Sequence, residues 1–575
     1  MRDKTVRRWR LVPLMAAVMA VAVGCGGGGG GGATFDVVIP QLSAAQGATL
    51  NGTCAEVAAR VSGLANTTIT SATAVAAGTV SGQAVPQHCQ IRGEMHRRTS
   101  TVDGKSYAIS FEMRLPVAWN GRFLHQGNGG LDGSVSNALG GFGGGPLTNA
   151  LNQGFAVLSS DAGHTGAQNP TFGIDPQARL DYGYQAVAKL TPMAKSVIAS
   201  AYGKGPDRSY FAGCSNGGRH AMIAATRYAS DYDGILAGAP GYNLPKAAIA
   251  NIAGGQLYNS VATTPGNLAT AFTPAERATV GAAVLAKCDA LDGATDAMVQ
   301  DVAACQATFS LERDVPTCPG GRDPAGSCLT TAQKSAIGKI FSGPTTSDGK
   351  LIYAPFPYDP GIASSGIPFW EFFAPVALDS GAVGMVFKVP PENPTGFDGA
   401  AFALNANLDT LVQQINATNA TYTESGMSFA TPPNPTDMTT LRNRGGKIMV
   451  YHGVSDPIFS VSDSEAWYKG LVERHGALAP SFARLFEVPG MGHCSGGPAT
   501  DQFDALSALV AWVEQGNAPD KLIASARGAG NAGGVNAEVP ASWSATRTRP
   551  LCPYPQVARY NGTGDIESAS SFSCR

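Results

Sequence analysis

The stretch SYFAGCSNGGR at residues 209–219 decides the fold of this chain. Its apolar first half predicts a buried strand, and the segment 218–228 predicts a helix, so Ser215 stands on the tight turn between the two. A turn of this kind exposes a serine hydroxyl at one edge of a sheet. Three glycines permit the turn and the close packing of the helix: Gly213, Gly217 and Gly218.

A second motif, PGMGHC at 489–494, becomes informative through its cysteine. Cys214 directly precedes Ser215, and Cys494 directly follows His493. A disulfide holds its two Cα atoms roughly 4.4–6.8 Å apart. A bond between these cysteines would therefore bring the serine and the histidine side by side, which predicts a nucleophile with its general base.

The remaining cysteines indicate a disulfide-bonded, exported protein. The chain has 11 cysteines, and setting Cys25 aside leaves an even number. Spacing alone does not determine connectivity, but proximity in sequence leaves none of them unpaired and favours Cys54–Cys89, Cys288–Cys305, Cys318–Cys328, Cys552–Cys574 and, for the remainder, Cys214–Cys494.

A base of this kind needs a carboxylate to orient it, and Asp456 is the best candidate. It follows a predicted strand at 447–451, and His493 follows the next one at 485–488. The order serine, acid, histidine is that of the α/β-hydrolase fold. Other side chains near strand ends remain open as base or acid, namely His125, His164, His452, Asp161, Asp231 and Asp233.

An oxyanion hole in this fold combines two backbone N–H groups. One would belong to Asn216, the residue after the serine, and the other to the glycine-rich loop at 127–130. The sequence favours Gly127 or Gly129 as the second donor and does not choose between them.

Short apolar strands alternate with helical patterns over 105–240 and again after 444, which predicts an α/β fold with a mostly parallel sheet. Residues 243–443 lack this alternation of strands and helices and are rich in proline and glycine. We therefore predict an α/β-hydrolase core formed by residues 35–242 and 444–575, with a large inserted lid domain at 243–443.

The first 25 residues predict a lipoprotein-type signal peptide. A basic start is followed by a short apolar segment and by AVGC at 22–25, where Cys25 would be lipidated. Residues 26–34 then form a glycine-rich linker. The prediction is an exported outer-membrane or cell-surface lipoprotein; ordinary cleavage nearby would instead give a soluble periplasmic or secreted protein.

Composition narrows the class of partner. The formal net charge is −2, and no run of basic residues suggests binding to nucleic acid. With 575 residues and 44% hydrophobic content, the chain is long enough for a substantial core.

An acidic loop at 288–298 predicts a cation site. Three carboxylates crowd one turn and repel each other unless a hard cation neutralises them. Calcium ligands would be the side chains of Asp289, Asp292 and Asp296 with the carbonyls of Ala294 and Met298. A solvated acidic loop is the alternative interpretation.

With these motifs in place, the chain resembles the tannase and feruloyl esterase family of α/β-hydrolases. The matching residues are 202–204, 209–219 and 233–240, together with the Cys-Ser, Asp and His-Cys arrangement. The resemblance covers nearly all of the mature chain, including the acidic loop. It implies hydrolysis of esters of aromatic acids through an acyl-enzyme, and a structural Ca²⁺ in the lid far from the chemistry.

The family also includes mono(2-hydroxyethyl) terephthalate hydrolases, and the resemblance implies that Phe459, Trp370 and Phe387 contact substrate. Ordinary core packing is the alternative for each ring. Val383 stands where the terephthalate enzymes carry an arginine for the free carboxylate, and Lys388 is a poor planar substitute. This departure argues against terephthalate specificity.

The sequence therefore predicts a serine carboxylic ester hydrolase that acts on small aromatic esters of hydroxycinnamic, gallic or terephthalic type. The catalytic residues would be Ser215, Asp456 and His493, with no catalytic cofactor. Alternative functions are a mono(2-hydroxyethyl) terephthalate hydrolase, a peptidase or lipase with the same triad, and a non-catalytic surface binding protein on a hydrolase scaffold.

Overall fold

The structure is a computed structural model, and it describes residues 39–143 and 146–575. The predicted signal peptide at 1–25, the lipidation site Cys25 and the linker at 26–34 lie outside the described residues. Those three assignments stay predictions. Within the described ranges, no helix is both long and apolar enough to cross a membrane.

The described strands fall into one large sheet and several two-stranded ribbons. They are β1 (Ala48–Thr49), β2 (Thr67–Val75), β3 (Gly78–Val80), β4 (Gln83–Val85), β5 (His88–Thr99), β6 (Ser106–Pro116), β7 (Ala118–Trp119), β8 (Arg122–Gly127), β9 (Ala156–Ser160), β10 (Arg208–Cys214), β11 (Gly234–Gly238), β12 (Lys447–Gly453), β13 (Ala483–Val488), β14 (Leu522–Ser525), β15 (Thr548–Leu551), β16 (Ala558–Tyr560) and β17 (Phe572–Cys574).

Most described helices are short, and several begin at a serine, threonine, aspartate or asparagine cap. They are α1 (Cys54–Val61), α2 (Pro176–Leu180), α3 (Ala186–Tyr202), α4 (Asn216–Arg227), α5 (Leu244–Val261), α6 (Pro274–Cys288), α7 (Val302–Thr308), α8 (Leu311–Asp314), α9 (Thr331–Phe341), α10 (Gly399–Asn405), α11 (Leu408–Ile415), α12 (Gly426–Ala430), α13 (Thr439–Asn443), α14 (Val461–His475) and α15 (Ala505–Gln515).

Tighter and wider helical turns join these elements. The 3₁₀ segments are Gly166–Gln168, Thr171–Ile174, Leu268–Thr270, Asp289–Asp292, Pro360–Ala363, Gly476–Ser481 and Ala569–Ser571, and the π-helical segments are Asp181–Gln185, Pro368–Phe373, Pro375–Asp379 and Ala382–Phe387.

The central sheet has nine strands in the order β13-β12-β11-β10-β8-β9-β6-β5-β2. The six from β13 to β9 are parallel, while β6, β5 and β2 extend the sheet with antiparallel pairing. Strands β11 and β12 are buried at every position, as expected for parallel strands covered on both faces. The fold is thus the predicted α/β fold.

Two apolar clusters cover the faces of this sheet. One packs α1, α3, α4 and α14 against the sheet, and the other packs α15 and the loop residues 138–142 and 150–151 against the opposite side. Because both faces are closed by helices or loops, functional side chains are confined to the strand ends.

Residues 239–446 separate the neighbouring strands β11 and β12, and none of these described residues adds a strand to the central sheet. They form helices and turns around two apolar clusters, one of which also includes residues of the core. By contacts, 39–575 form a single compact unit. We call 243–443 the insertion; its division from the core as a lid domain stays a prediction.

Five disulfides join the ten cysteines of the described residues in the pairs favoured by proximity. Four of them close loops of 35 residues or fewer. The fifth, Cys214–Cys494, spans 280 positions and links the end of β10 to the loop after β13.

Candidate active site

Ser215 occupies a strained turn between β10 and α4. Its backbone angles are φ 65° and ψ −128°, a conformation that non-glycine residues rarely adopt. Glycines make the approach of neighbouring chain segments possible. A Cβ on Gly213 would lie 2.6 Å from the backbone of Gly217, and a Cβ on Gly217 would collide with the carbonyl of Gly127.

The structure brings the three predicted catalytic side chains into one hydrogen-bonded line. His493 Nε2 lies 2.8 Å from Ser215 Oγ, and His493 Nδ1 lies 2.7 Å from Asp456 Oδ2. A carboxylate at Nδ1 requires that this nitrogen carry the proton. Nε2 is therefore free to accept the proton of the serine hydroxyl.

Asp456 is held in place and kept ionised. Its Oδ1 accepts hydrogen bonds from the backbone N–H groups of Ile458 and Phe459, both at 3.0 Å. Burial alone would raise the pKa of Asp456, but His493 and His452 outweigh burial and hold this pKa well below its usual value. The acid is thus a carboxylate throughout the neutral range.

The hydrogen bonds of the competing histidines lead away from Ser215. His125 bonds Tyr232 at 2.9 Å, and His164 bonds Asn169 at 2.8 Å. His452 bonds Ser464 and the carbonyl of Phe459, and it lies 3.5 Å from Asp456. It therefore supports the acid rather than replacing the base.

The competing carboxylates also have other partners. Asp161 accepts from the backbone N–H groups of Ser110 and Gly163. Asp231 pairs with Lys195, and Asp233 accepts from the backbone N–H of Ser209 at 2.8 Å. Only Asp456, of the four predicted acid candidates, contacts His493.

The Cys214–Cys494 disulfide lies directly beside the serine and the histidine. Its Cα atoms are 6.1 Å apart, within the range expected for a disulfide. Cys494, like Ser215, has a left-handed backbone, with φ 64°. The bond thus ties the strained Cys494 to Cys214, the residue before the strained Ser215, next to the hydrogen bond between His493 and Ser215.

The two glycines predicted for the oxyanion hole occupy different places. Gly127 is the last residue of β8, pairs with Gly213 and packs beneath Gly217. A Cβ on Gly129 would instead lie 4.0 Å from the Cβ of Ser215. The loop therefore faces the nucleophile at Gly129, opposite the first residue of α4, Asn216.

Two of the three predicted substrate-contacting rings pack edge-on against His493. The ring of Trp370 lies 4.8 Å from the imidazole and that of Phe459 lies 5.3 Å from it, measured between centroids. Trp370 is half-buried, whereas Phe459 is buried.

The third predicted ring, Phe387, is not brought to the triad. It is fully buried and has Tyr182 and Phe429 as ring neighbours, so it offers no accessible face in this conformation. The neighbouring side chains give no free cation either, since Val383 is fully buried and Lys388 is buried against Glu392.

In the acidic loop, Asp289 accepts hydrogen bonds from the backbone N–H groups of residues 296, 297 and 298. Asp292 Oδ2 and Asp296 Oδ1 are buried without a hydrogen-bond partner, although Arg549 pairs with the other oxygen of Asp296. Burial and the charges of Asp296 and Asp289 together raise the pKa of Asp292 to about 7, against a lowering by the hydrogen bond from the N–H of Ala294.

These carboxylates do not make a metal site by themselves. Among the residues that the structure describes, no three His, Cys, Asp or Glu side chains form a group that could hold a metal ion. A cation at this loop would need main-chain carbonyls as additional ligands. The sequence predicts that the carbonyls of Ala294 and Met298 take this role.

A parallel sheet that presents a serine on a strand–helix turn, hydrogen-bonded to a histidine and an aspartate from later strand ends, defines the α/β-hydrolases. Within that class, the chain belongs to the tannase and feruloyl esterase family, whose model matches residues 89–575. It is therefore a carboxylic ester hydrolase.

Curated relatives and solved structures agree with this family. The chain is 39% identical to the mono(2-hydroxyethyl) terephthalate hydrolase of Piscinibacter sakaiensis, over 87% of this chain and 86% of the relative. It is 28% identical to a probable feruloyl esterase B-2 of Neosartorya fischeri, over 84% and 87%. The crystal structure of feruloyl esterase B from Aspergillus oryzae superposes with a TM-score of 0.72 at 25% identity, covering 91% of this chain and 99% of that one.

Sequence reasoning missed two groups around this site. Asp132 and Arg219 both hydrogen-bond the side chain of Asn216. The only available signal was their position, one just after the glycine-rich loop and the other one turn beyond the serine.

Proposed function

We propose that this chain hydrolyses esters of aromatic carboxylic acids by a serine mechanism with an acyl-enzyme intermediate. The hydrogen-bonded line from Ser215 through His493 to Asp456 carries this proposal. The aromatic preference is supported by Trp370 and Phe459 at the imidazole, and by relatives named as feruloyl esterases and a terephthalate monoester hydrolase.

In the acylation step, His493 Nε2 takes the hydroxyl proton as Ser215 Oγ attacks the ester carbonyl carbon. The negative charge that develops on the carbonyl oxygen is stabilised by the N–H of Asn216 and by an N–H of the loop at Gly129. Asp456 stabilises the imidazolium through Nδ1. His493 then donates its proton to the departing alcohol, which leaves an acyl-Ser215 ester.

Deacylation uses the same groups. Water enters the place of the alcohol, loses a proton to His493 Nε2 and attacks the acyl carbon. The tetrahedral intermediate collapses, Ser215 recovers its proton, and the aromatic acid departs. The disulfide and Asp456 keep the imidazole in the same position for both steps.

The surroundings favour acids without a second carboxylate. Recognition of a free terephthalate carboxylate calls for a planar cation such as arginine. Val383, which the resemblance places at the position of that arginine, is buried and apolar, and Lys388 is engaged by Glu392. We therefore place hydroxycinnamic and gallic esters ahead of mono(2-hydroxyethyl) terephthalate.

The test is hydrolysis of methyl ferulate, methyl gallate and mono(2-hydroxyethyl) terephthalate by the mature protein, with Ser215→Ala as the matched inactive control. Turnover of the first two that vanishes in the variant is expected. Faster turnover of the terephthalate ester would refute the argument from Val383. Preference for an anilide or a long-chain ester would assign a peptidase or lipase, and no turnover at all would favour a binding protein.

We propose a structural Ca²⁺ at the loop 289–298, held by Asp289, Asp292 and Asp296 with carbonyls of Ala294 and Met298. The two buried carboxylate oxygens without partners support it, because burial of unpaired acceptors is costly. When bound, the ion would neutralise the crowded carboxylates. Calorimetric titration of chelator-treated protein with Ca²⁺ should show binding, and Asp292→Asn should abolish it; an absence of heat with the wild type would refute the site.

We also propose that the protein is exported and lipid-anchored through Cys25. The five disulfides support an oxidising compartment. Expression with a radiolabelled fatty acid should label the wild type but not Cys25→Ala. Secretion of unlabelled wild-type protein would instead establish ordinary signal cleavage.

A further inference from the structure

The side chain of Asn216 is fully committed to hydrogen bonds, although only its backbone N–H takes part in the proposed chemistry. Its Nδ2 donates to Asp132 Oδ2 at 2.7 Å and to the carbonyl of Asn128 at 3.3 Å. Its Oδ1 accepts from Arg219 Nε at 2.7 Å and from the hydroxyl of Tyr182 at 3.2 Å. All four hydrogen-bonding positions of the amide are therefore filled.

These partners fix the orientation of the amide. Two acceptors face the nitrogen, and Arg219 and the Tyr182 hydroxyl face the oxygen. A flipped amide would lose three of the four hydrogen bonds, since only the Tyr182 hydroxyl can also accept. Arg219 is itself immobile, because it is fully buried and donates to the carbonyls of Gly183, Tyr182 and Ala430. On the other side, Asp132 lies 2.9 Å from His220 Nε2.

The amide joins the two segments that the proposed oxyanion hole requires. Asn128 and Asp132 flank Gly129 in the loop after β8, whereas Asn216 is the first residue of α4. Gly129 has no side chain to anchor it, and a Cβ there would meet nothing nearer than Ser215, at 4.0 Å. The position of this loop relative to α4 is thus set by its neighbours on either side.

We propose that Asp132 and the side chain of Asn216 are positioning residues that hold the two halves of the oxyanion hole in register. This inference rests on the proposed serine mechanism. A displacement of about 1 Å at such a site lowers the rate by roughly 100-fold. The four hydrogen bonds of the Asn216 side chain prevent such a displacement.

The charge state of Asp132 is compatible with this role. Burial raises the pKa of Asp132 to about 7, opposed by Arg219, by His164 and by the hydrogen bond from Asn216. Burial and then Arg219 hold the pKa of His220 well below its usual value. An ionised Asp132 accepts from both Asn216 and His220, and a protonated one donates to neutral His220 while still accepting from Asn216. The connection to Asn216 therefore survives in either state.

The experiment is a double-mutant cycle with Asn216→Asp, Asp132→Asn and the two combined, together with Asn216→Ala. The expected result for Asn216→Ala is a fall in kcat of about 10- to 100-fold with little change in KM, since a lost oxyanion donor costs about 100- to 1000-fold. Asn216→Asp sets two carboxylates against each other and should lose at least as much. Adding Asp132→Asn restores a donor–acceptor pair and should recover about tenfold.

A second readout separates positioning from general destabilisation. Sulfur is a weak hydrogen-bond acceptor, so the rate ratio of an ester to its thionoester reports on the oxyanion hole. This ratio should fall in Asn216→Ala. It should stay at the wild-type value in Asn149→Ala, a control that removes an equally buried asparagine bonded to the carbonyl of Ala84 and the N–H of Asn152.

An unchanged kcat in folded Asn216→Ala, an unchanged ester-to-thionoester ratio, or a combined variant no better than Asn216→Asp would each overturn the inference. Wild-type protein that turns over no ester would refute the proposed function itself. An active wild type with unaffected Asn216 variants would refute only the positioning role.

Discussion

Removal of the Cys214–Cys494 disulfide should lower activity without first unfolding the protein. The perturbation is Cys214→Ser combined with Cys494→Ser, which avoids reductant and leaves the other four disulfides intact. Both cysteines adjoin catalytic residues, and both Ser215 and Cys494 have left-handed backbones, with φ 65° and 64°. Without the bond, Cys494 loses a covalent constraint, and Ser215 keeps its backbone hydrogen bonds to Gly238 and Arg219 but loses the link from its neighbour to the histidine loop.

The size of the effect follows from that strain. A non-glycine residue in such a conformation costs about 1–3 kcal/mol and persists only where the surroundings enforce it. Relaxation of one of them would reduce the productive population, and hence kcat, by about 5- to 150-fold. Loss of the 280-residue loop closure costs about 6 kcal/mol in the chain-entropy description, against about 4 kcal/mol for the 35-residue loop of Cys54–Cys89.

The assay compares kcat for methyl ferulate at 25 °C with the folded fraction, measured by near-ultraviolet circular dichroism on the same samples. The matched control is Cys54→Ser with Cys89→Ser, which weakens the fold through a disulfide that adjoins no catalytic residue. The control should retain wild-type kcat per folded molecule. The double variant at 214 and 494 should not.

A local role of the disulfide is refuted if the variant at 214 and 494 keeps wild-type kcat while mass spectrometry confirms that the bond is absent. It is also refuted if kcat falls only in proportion to the folded fraction, because the disulfide would then act on global stability alone.

Three further results are expected. Asp456→Asn should lower kcat by about 10⁴-fold in steady-state assays with little change in melting temperature, because the imidazole loses its orienting anion. Trp370→Ala should lower kcat/KM for methyl ferulate more than for ethyl acetate, and equal losses would contradict a ring contact with substrate. Burial raises the pKa of Glu371 to about 7 and that of Asp379 to about 8. At these two groups the folded state binds more protons than the unfolded state, so they make the melting temperature fall as pH rises from about 5 to about 8; Glu371→Gln with Asp379→Asn should make this decline shallower.

The parallel half of the sheet was predictable because its signals are local. The apolar run at 447–451 and the strand–turn–helix at 209–219 each carry their pattern within a few residues. The antiparallel extension formed by β6, β5 and β2 was not predictable in this way. Strand β5 contains four charged residues and two histidines, and only its pairing with β2 and β6 makes it a strand. Tertiary context outweighs local preference there.

The candidate site also contains residues with a local sequence signal and residues without one. Ser215 and His493 were predictable because a cysteine adjoins each. A disulfide between these cysteines indicates that the two residues are neighbours although the cysteines are 280 positions apart. Asp132 carries no such mark: its contact with Asn216 joins residues 84 positions apart. Phe387 illustrates the opposite case: the resemblance implied a contact with substrate, whereas packing encloses the ring in this structure.

The insertion also determines when the triad can assemble during synthesis. Strands β11 and β12 pair directly, with Gly234 opposite Lys447, so a nascent chain that ends before residue 447 holds Ser215 without its partners. Closing a loop of this length costs about 5 kcal/mol of chain entropy, which the fold of the insertion must offset before the strands meet. Asp456 and His493 leave the ribosome last among the catalytic residues. A growing or truncated polypeptide therefore carries an incomplete triad, and hydrolytic activity should arise only once the chain extends past Cys494.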